Sequence, residues 1–305
     1  MNILFRVDSS YFIGTGHIMR DLVLAKQYSK DNIFFAVRDL KGNINFKVDE
    51  AGYKKILLKS NDIEELDTLI KKLDIDMIII DHYGIDYEFE KKLKELNPNL
   101  KVFIFDDTYE KHDCDILLNH NISANEKKYE DLVPNTCELR CGAKYTLLRG
   151  EFFKIKRKPK RKKNKLNVFL AMGGADHSNI NIKILNVLKE FKKLHINIVS
   201  TTANKNLKSL ENYCKKNRFV TLHINSNKIA TLINNCDFAI VTPSVTVNEV
   251  YFLEKPIVAI KTAQNQIDMF NFLKKDREFV ISRFNKEKLE ITINTIMKRF
   301  IYGKY

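Results

Sequence analysis

Short runs of β-branched and aromatic residues alternate along this chain with longer stretches of helical periodicity, and the series starts afresh after a basic block near the middle. Parallel strands need a crossover of a dozen or more residues, usually a helix, so this alternation specifies βαβ units and parallel sheets. In the first half the pattern predicts strands at 2–7, 32–37, 55–58, 77–80, 102–105 and 116–118, with helices at 16–29, 62–73 and 87–96. In the second it predicts strands at 167–171, 196–200, 220–223, 238–241 and 257–260. Helices there are expected at 179–192, 207–216, 228–234, 245–253, 266–274 and 286–300. The fold class is therefore α/β, with two Rossmann-like domains whose parallel sheets face each other across a cleft. Ligands of such sheets bind outside the carboxyl ends of the strands, so chemistry belongs on strand-to-helix loops.

A chain of 305 residues, 44% hydrophobic and 30% charged, is long enough for two such domains. The net charge of +14 is uneven: nine basic residues fall in the twelve from Lys154 to Lys165, and subtracting nine from +14 leaves +5. A run of that composition, with Pro159 inside it, reads as a solvated tether. The expected organisation is an N-terminal domain over 1–152, a linker over 153–165 and a C-terminal domain over 166–305. Nucleic-acid binding would call for stacking aromatics or a basic face spread over a folded domain, and the run has neither. No segment approaches the roughly 20 apolar residues of a membrane span, and the chain opens directly on Asn2-Ile3-Leu4-Phe5. The expectation is a cytoplasmic monomer without nucleic-acid or membrane partners. Its five cysteines are scattered and odd in number, which indicates neither a disulfide framework nor a zinc ribbon.

Three loops carry candidate chemistry. In Gly14-Thr15-Gly16-His17 the glycines permit a tight turn and close approach of a ligand to Gly16. Met19 occupies the third glycine position of a dinucleotide fingerprint, which disfavours NAD. His17 in the first helical turn feels the positive end of the helix dipole, which favours the neutral imidazole of a base; the alternative is a histidine that merely closes the loop. Arg20, one turn on, either meets a phosphate or pairs with Asp8. In the second loop, Met172-Gly173-Gly174, Gly174 either admits a phosphate or base ring or is a structural turn. The third, Thr242-Pro243-Ser244-Val245, ends a strand. Ser244 can cap the next helix, whose free N–H groups at Val245 and beyond make an anion site for a diphosphate. Glu249 on that helix either accepts hydrogen bonds from ribose hydroxyls or is a solvated helix residue.

These segments, with Leu4-Phe5-Arg6-Val7-Asp8-Ser9-Ser10, Gly16-His17-Ile18-Met19-Arg20-Asp21-Leu22, Ile79-Ile80-Asp81-His82-Tyr83-Gly84, Phe105-Asp106-Asp107, Leu139-Arg140-Cys141-Gly142, Val247-Asn248-Glu249 and Asn265-Gln266, resemble a known family. It is the UDP-2,4-diacetamido-2,4,6-trideoxy-beta-L-altropyranose hydrolases of pseudaminic acid biosynthesis, which leads to flagellin glycosylation. The likeness covers nearly the whole chain. It implies a GT-B-like fold and a UDP-sugar substrate from which water, activated by His17 and attacking the anomeric carbon with inversion, displaces UDP. It implies no cofactor and no metal. It further implies that Tyr83 touches the sugar, that Arg149 lies on a substrate-contacting loop, and that Asn265 meets the sugar's acetamido or hydroxyl groups. Pro243 departs from the family and removes one N–H from the phosphate cradle. The alternatives are a GT-B glycosyltransferase, with His17 activating an acceptor hydroxyl, and a non-catalytic nucleotide-sugar-binding protein.

Overall fold

The computed structural model describes residues 1–156, 165–276 and 278–302. Its contacts divide the chain into two units, Met1–Leu148 and Arg149–Tyr305.

The first unit carries strands β1 (Asn2–Val7), β2 (Asn32–Arg38), β3 (Lys54–Leu58), β4 (Met77–Asp81), β5 (Lys101–Phe105), β6 (Ile116–Asn119) and β7 (Glu138–Cys141). Helices α1 (Gly16–Ala25), α2 (Phe46–Glu50), α3 (Ile63–Lys72) and α4 (Tyr87–Leu96) connect them. All pairings are parallel, in the order β3-β2-β1-β4-β5-β6-β7. The pleat explains the apolar composition of the strands. On β1, Ile3, Phe5 and Val7 enter one buried cluster while Leu4 enters another; on β4, Met77 and Ile79 join the first cluster, Ile78 and Ile80 the second. A sheet covered on both faces needs apolar residues at both parities.

The second unit repeats the plan with β8 (Leu166–Ala171), β9 (Leu194–Ser200), β10 (Val220–Ile224), β11 (Phe238–Val241), β12 (Ile257–Ile260) and β13 (Phe279–Ile281). Its helices are α5 (Gly150–Lys154), α6 (Asn181–Leu188), α7 (Leu207–Lys216), α8 (Ile229–Asn235), α9 (Val245–Phe252), α10 (Ile267–Lys275) and α11 (Lys286–Tyr302). The order is β10-β9-β8-β11-β12-β13, again all parallel. Both expected α/β sheets are thus present. In each, the strand order reverses once, between β1 and β4 and between β8 and β11, which is where a doubly wound sheet opens a crevice.

Differences from expectation are local. Strands β7 and β13 were not legible: each is a short strand at a sheet edge, and the polar Glu138-Leu-Arg-Cys segment carries no apolar run. The helix expected from Asn179 starts at Asn181, because Asp176 and Asn179 hold left-handed conformations (φ 44° and 48°) that a helix does not accommodate. The helix expected over 16–29 ends at Ala25 and tightens into a 3-10 turn over Lys26–Tyr28. Helix α5 takes Phe153 and Lys154 out of the expected linker, whose residues 157–164 lie outside the described residues. Among the described residues no helix is long and apolar enough to cross a membrane.

Candidate active site

The loop that follows β1 folds back on itself before entering α1. Ser10 and Gly14 bridge through backbone hydrogen bonds of 3.3 and 2.9 Å, Gly14 takes φ +86°, and the Ser10 hydroxyl accepts from the amides of Phe12 and Ile13. That turn starts α1 at Gly16, where an added Cβ would meet no protein atom within 4 Å, so Gly16 is not required by packing. His17 follows, at the carboxyl edge of the sheet beside β4.

Asp81, the last residue of the wholly buried β4, organises this edge. Its Oδ1 lies 2.7 Å from His17 Nδ1, and Arg20 donates to both its oxygens through Nε and Nη2 at 2.6 Å each. The remaining Arg20 nitrogen, Nη1, lies 3.4 Å from Asp107 just beyond β5, and the Tyr83 hydroxyl donates to the other Asp107 oxygen at 2.8 Å. Tyr83 meets the His17 ring edge-on at 5.0 Å between centroids, and the guanidinium of Arg20 sits 5.0 Å from the centre of the Phe105 ring. His17 is 7% exposed, Arg20 5% and Asp81 1%, whereas Tyr83 is 57% exposed. Burial opposes ionisation of Asp81, but the charge of Arg20 and the contact with His17 outweigh it and hold the carboxyl well below the usual range. Nδ1 of His17 also lies 3.3 Å from the backbone carbonyl oxygen of Asp81, and since both partners accept only, Nδ1 carries the hydrogen; in the neutral ring the lone pair is then on Nε2.

Of the residues singled out in the sequence, His17, Arg20 and Tyr83 come together around Asp81 and Asp107, with Gly16 immediately before His17. Pairing of Arg20 with Asp8 does not occur: Asp8 is held by Arg6 (2.8 and 2.9 Å), the side chain and amide of Arg38 (2.7 Å each) and His82 (3.2 Å). Nδ1 of His82 accepts from the Gly84 amide, so that ring is structurally committed. Asp106 and Asp107 diverge as adjacent residues of an extended chain do; Asp106 accepts from Thr108, the Tyr109 amide and the Tyr129 hydroxyl. The sequence reading missed Asp81 and Asp107 as site residues. The available signal was a carboxylate closing an otherwise apolar strand, Met-Ile-Ile-Ile-Asp, on the carboxyl edge.

In the second unit the expected residues follow three adjacent strands. Gly174, after β8, accepts from the Thr201 amide and hydroxyl at 3.1 and 3.0 Å. Ser244 and Val245 follow β11. Ser244 occupies the N-cap position of α9 in extended conformation, but its side chain does not cap: the hydroxyl bonds Thr242 Oγ1 at 2.9 Å. The two hydroxyls satisfy one another, and the first amides of α9 receive no side-chain cap. Glu249 is not a solvated helix residue. Its Oε1 receives Arg149 Nη2 at 2.8 Å and Nε at 3.2 Å, and Arg149 also meets Glu151 at 3.1 Å. Burial pushes the Glu249 carboxyl up, against the opposing pull of Arg149. Asn265 is exposed in the turn Gln264–Gln266 after β12. Asp176, in the loop with Gly174, is pushed up to about 6 by burial.

No family model matches the chain. It is 41% identical over 275 residues, 90% of this chain and 97% of the other, to the UDP-2,4-diacetamido-2,4,6-trideoxy-beta-L-altropyranose hydrolase of Campylobacter jejuni. The chain belongs to this hydrolase family. By that membership it is an enzyme. The chain is also 32% identical over 289 residues, 90% of this chain and 59% of the other, to an uncharacterized protein of Methanocaldococcus jannaschii. Among solved structures, MurG of Acinetobacter baumannii superposes with a TM-score of 0.64 at 13% identity, covering 98% of this chain and 91% of that one. The spinosyn rhamnosyltransferase SpnG does so with 0.67 at 11% identity, covering 99% and 94%. These likenesses establish the GT-B-like fold of the hydrolase family member described here.

Proposed function

We propose that the protein hydrolyses UDP-2,4-diacetamido-2,4,6-trideoxy-beta-L-altropyranose, a step of pseudaminic acid biosynthesis, releasing UDP by attack of water on the anomeric carbon with inversion. The observation that carries the reading is the 2.7 Å contact between His17 Nδ1 and Asp81, which turns Nε2 into the base. Nε2 takes a proton from water as the water oxygen bonds to the anomeric carbon. The bond from that carbon to the diphosphate oxygen breaks, its electron pair leaving with UDP. The imidazolium so formed is stabilised by Asp81, as in other histidine–carboxylate pairs. Arg20 fixes Asp81 rather than binding substrate directly, and Tyr83 offers its exposed ring to the sugar beside His17.

In the second unit we assign the uncapped first turn of α9, from Ser244 and Val245, to the diphosphate, whose charge suits free helix amides. Both Arg149 contacts fall on Oε1 of Glu249, which leaves Oε2 to accept from a ribose hydroxyl. Gly174 borders the nucleotide, and the exposed Asn265 meets the acetamido groups. Good leaving-group ability of a diphosphate and positioned charge suffice for the chemistry, and the reading assigns it no metal.

The test is incubation with the UDP-sugar, chelator and no acceptor, following UDP release and the configuration of the free sugar by NMR. Release with inversion is expected. No release overturns the reading, and release only on adding an acceptor would make the protein a transferase.

A further inference from the structure

Helix α1 places His17, Arg20 and Asp21 at i, i+3 and i+4, on one face. Asp21 is wholly buried, and neither of its carboxyl oxygens has a hydrogen-bond partner. Donors nearby are committed elsewhere. Arg20 gives Nε and Nη2 to Asp81 and turns Nη1 toward Asp107, His17 Nδ1 is spent on Asp81, and the Tyr83 hydroxyl is spent on Asp107. His120, just after β6, is 1% exposed with both ring nitrogens unpartnered and stands edge-on to Phe105.

A carboxylate in such surroundings has no hydrogen bond to offset its lost hydration, the charge of Arg20 opposes burial without outweighing it, and a buried group in that position takes up a proton. A carboxylic acid, unlike a carboxylate, has a hydrogen to give; His17 and Arg20 on the same helix face both contact Asp81, and Asp81 is the acceptor that interacts with Asp21. We propose that Asp21 is a positioning residue: a neutral carboxylic acid that donates its hydrogen toward Asp81 and leaves a single carboxylate charge behind His17. Burial, with the charge of Asp81 added to it, pushes Asp21 well above the usual carboxylate range, and burial with the charge of Arg20 pushes His120 down to about 3, so His120 adds no charge.

The inference rests on the reading of His17 as the base. Two carboxylates behind an imidazole favour its protonated form more than one does, and a ring that is already protonated cannot take a proton from water. One carboxylate, shared with Arg20 and hydrogen-bonded by a neutral acid, orients the ring with less negative charge behind it than two would give. Of the other carboxylates on this edge, Asp107 faces Arg20 and Tyr83, Asp8 is held by Arg6, Arg38 and His82, and Asp106 accepts from Thr108, Tyr109 and Tyr129.

The experiment compares Asp21→Asn and Asp21→Leu with the wild type, using the full chain. Asn keeps a neutral donor; Leu removes it. At neutral pH the infrared difference spectrum between wild type and D21N is expected to show a protonated-carboxyl carbonyl band, a readout that needs no substrate. In kcat/KM against pH, D21N keeps the acid limb of the wild type, while D21L moves it up by about one unit and lowers kcat about tenfold with KM little changed. A missing infrared band, or an acid limb that falls by about a unit in D21N, would show that Asp21 carries a charge and overturn the proposal. Equal pH profiles for D21N and D21L, with only stability altered, would also overturn it. If hydrolysis itself is absent, the infrared band still decides the state of Asp21, and if D21L does not fold, D21N and the band remain decisive.

Discussion

His17 Nδ1 lies 2.7 Å from Asp81 Oδ1 and 3.3 Å from the Asp81 backbone carbonyl oxygen, so this one residue sets which ring nitrogen carries the hydrogen and the direction of the ring. Replacing Asp81 with Asn keeps the shape but offers Nδ1 either an amide or a weaker acceptor. D81N is expected to lower kcat by about a hundredfold to ten-thousandfold with UDP affinity unchanged, measured by steady-state kinetics and calorimetry.

Arg20 and Asp81 are a buried ion pair with two hydrogen bonds of 2.6 Å. Such a pair adds little against an apolar pair of equal volume, but removing one partner strands the other. Arg20→Met should therefore cost about 3–5 kcal/mol in urea denaturation. Arg20→Lys keeps the charge and loses the planar fork, so a smaller loss is expected there.

A second buried network is expected to make stability fall in alkali. His112 Nδ1 lies 2.8 Å from Glu90, and its Nε2 faces Asp106 at 3.9 Å. Burial works against the charge, but the two carboxylates prevail and push His112 from 6.5 up to about 9. The folded value exceeds the unfolded one, so the folded state binds the extra proton: the stabilisation is complete below pH 6.5 and is lost as pH rises through about 9. On the order of 3 kcal/mol should disappear across that window, and His112→Gln should flatten it, as read by denaturant midpoints at stepped pH.

Much of this arrangement was legible because the pleat and helix periods leave a direct mark on apolar residues. β1, β11, β12, α4 and α7 fall at their expected bounds, and His17 was marked by two glycines after a strand. The partner of His17 was not, because Asp81 is 64 residues away and pairing across parallel strands leaves no local pattern. Arg149 and Glu249, 100 residues apart, were each noticed but not as a pair, for the same reason. The Ser244 hydroxyl was misjudged because a cap competes with any hydroxyl in reach, and Thr242 two residues back wins.

Glu249 and Arg149 give a further expectation. Glu249→Ala removes the acceptor assigned to ribose and frees Arg149, and UDP affinity should drop about tenfold or more by calorimetry. The acid limb of the pH–rate profile belongs to the first unit and should stay in place.

The most direct measurement sets turnover of His17→Asn against its affinity for UDP. The account predicts UDP release slowed by at least about a hundredfold with UDP binding intact, because the base is lost and the nucleotide site is not. Turnover near the wild-type rate would contradict it, as would a parallel loss of UDP binding, which would make His17 a structural residue of its loop.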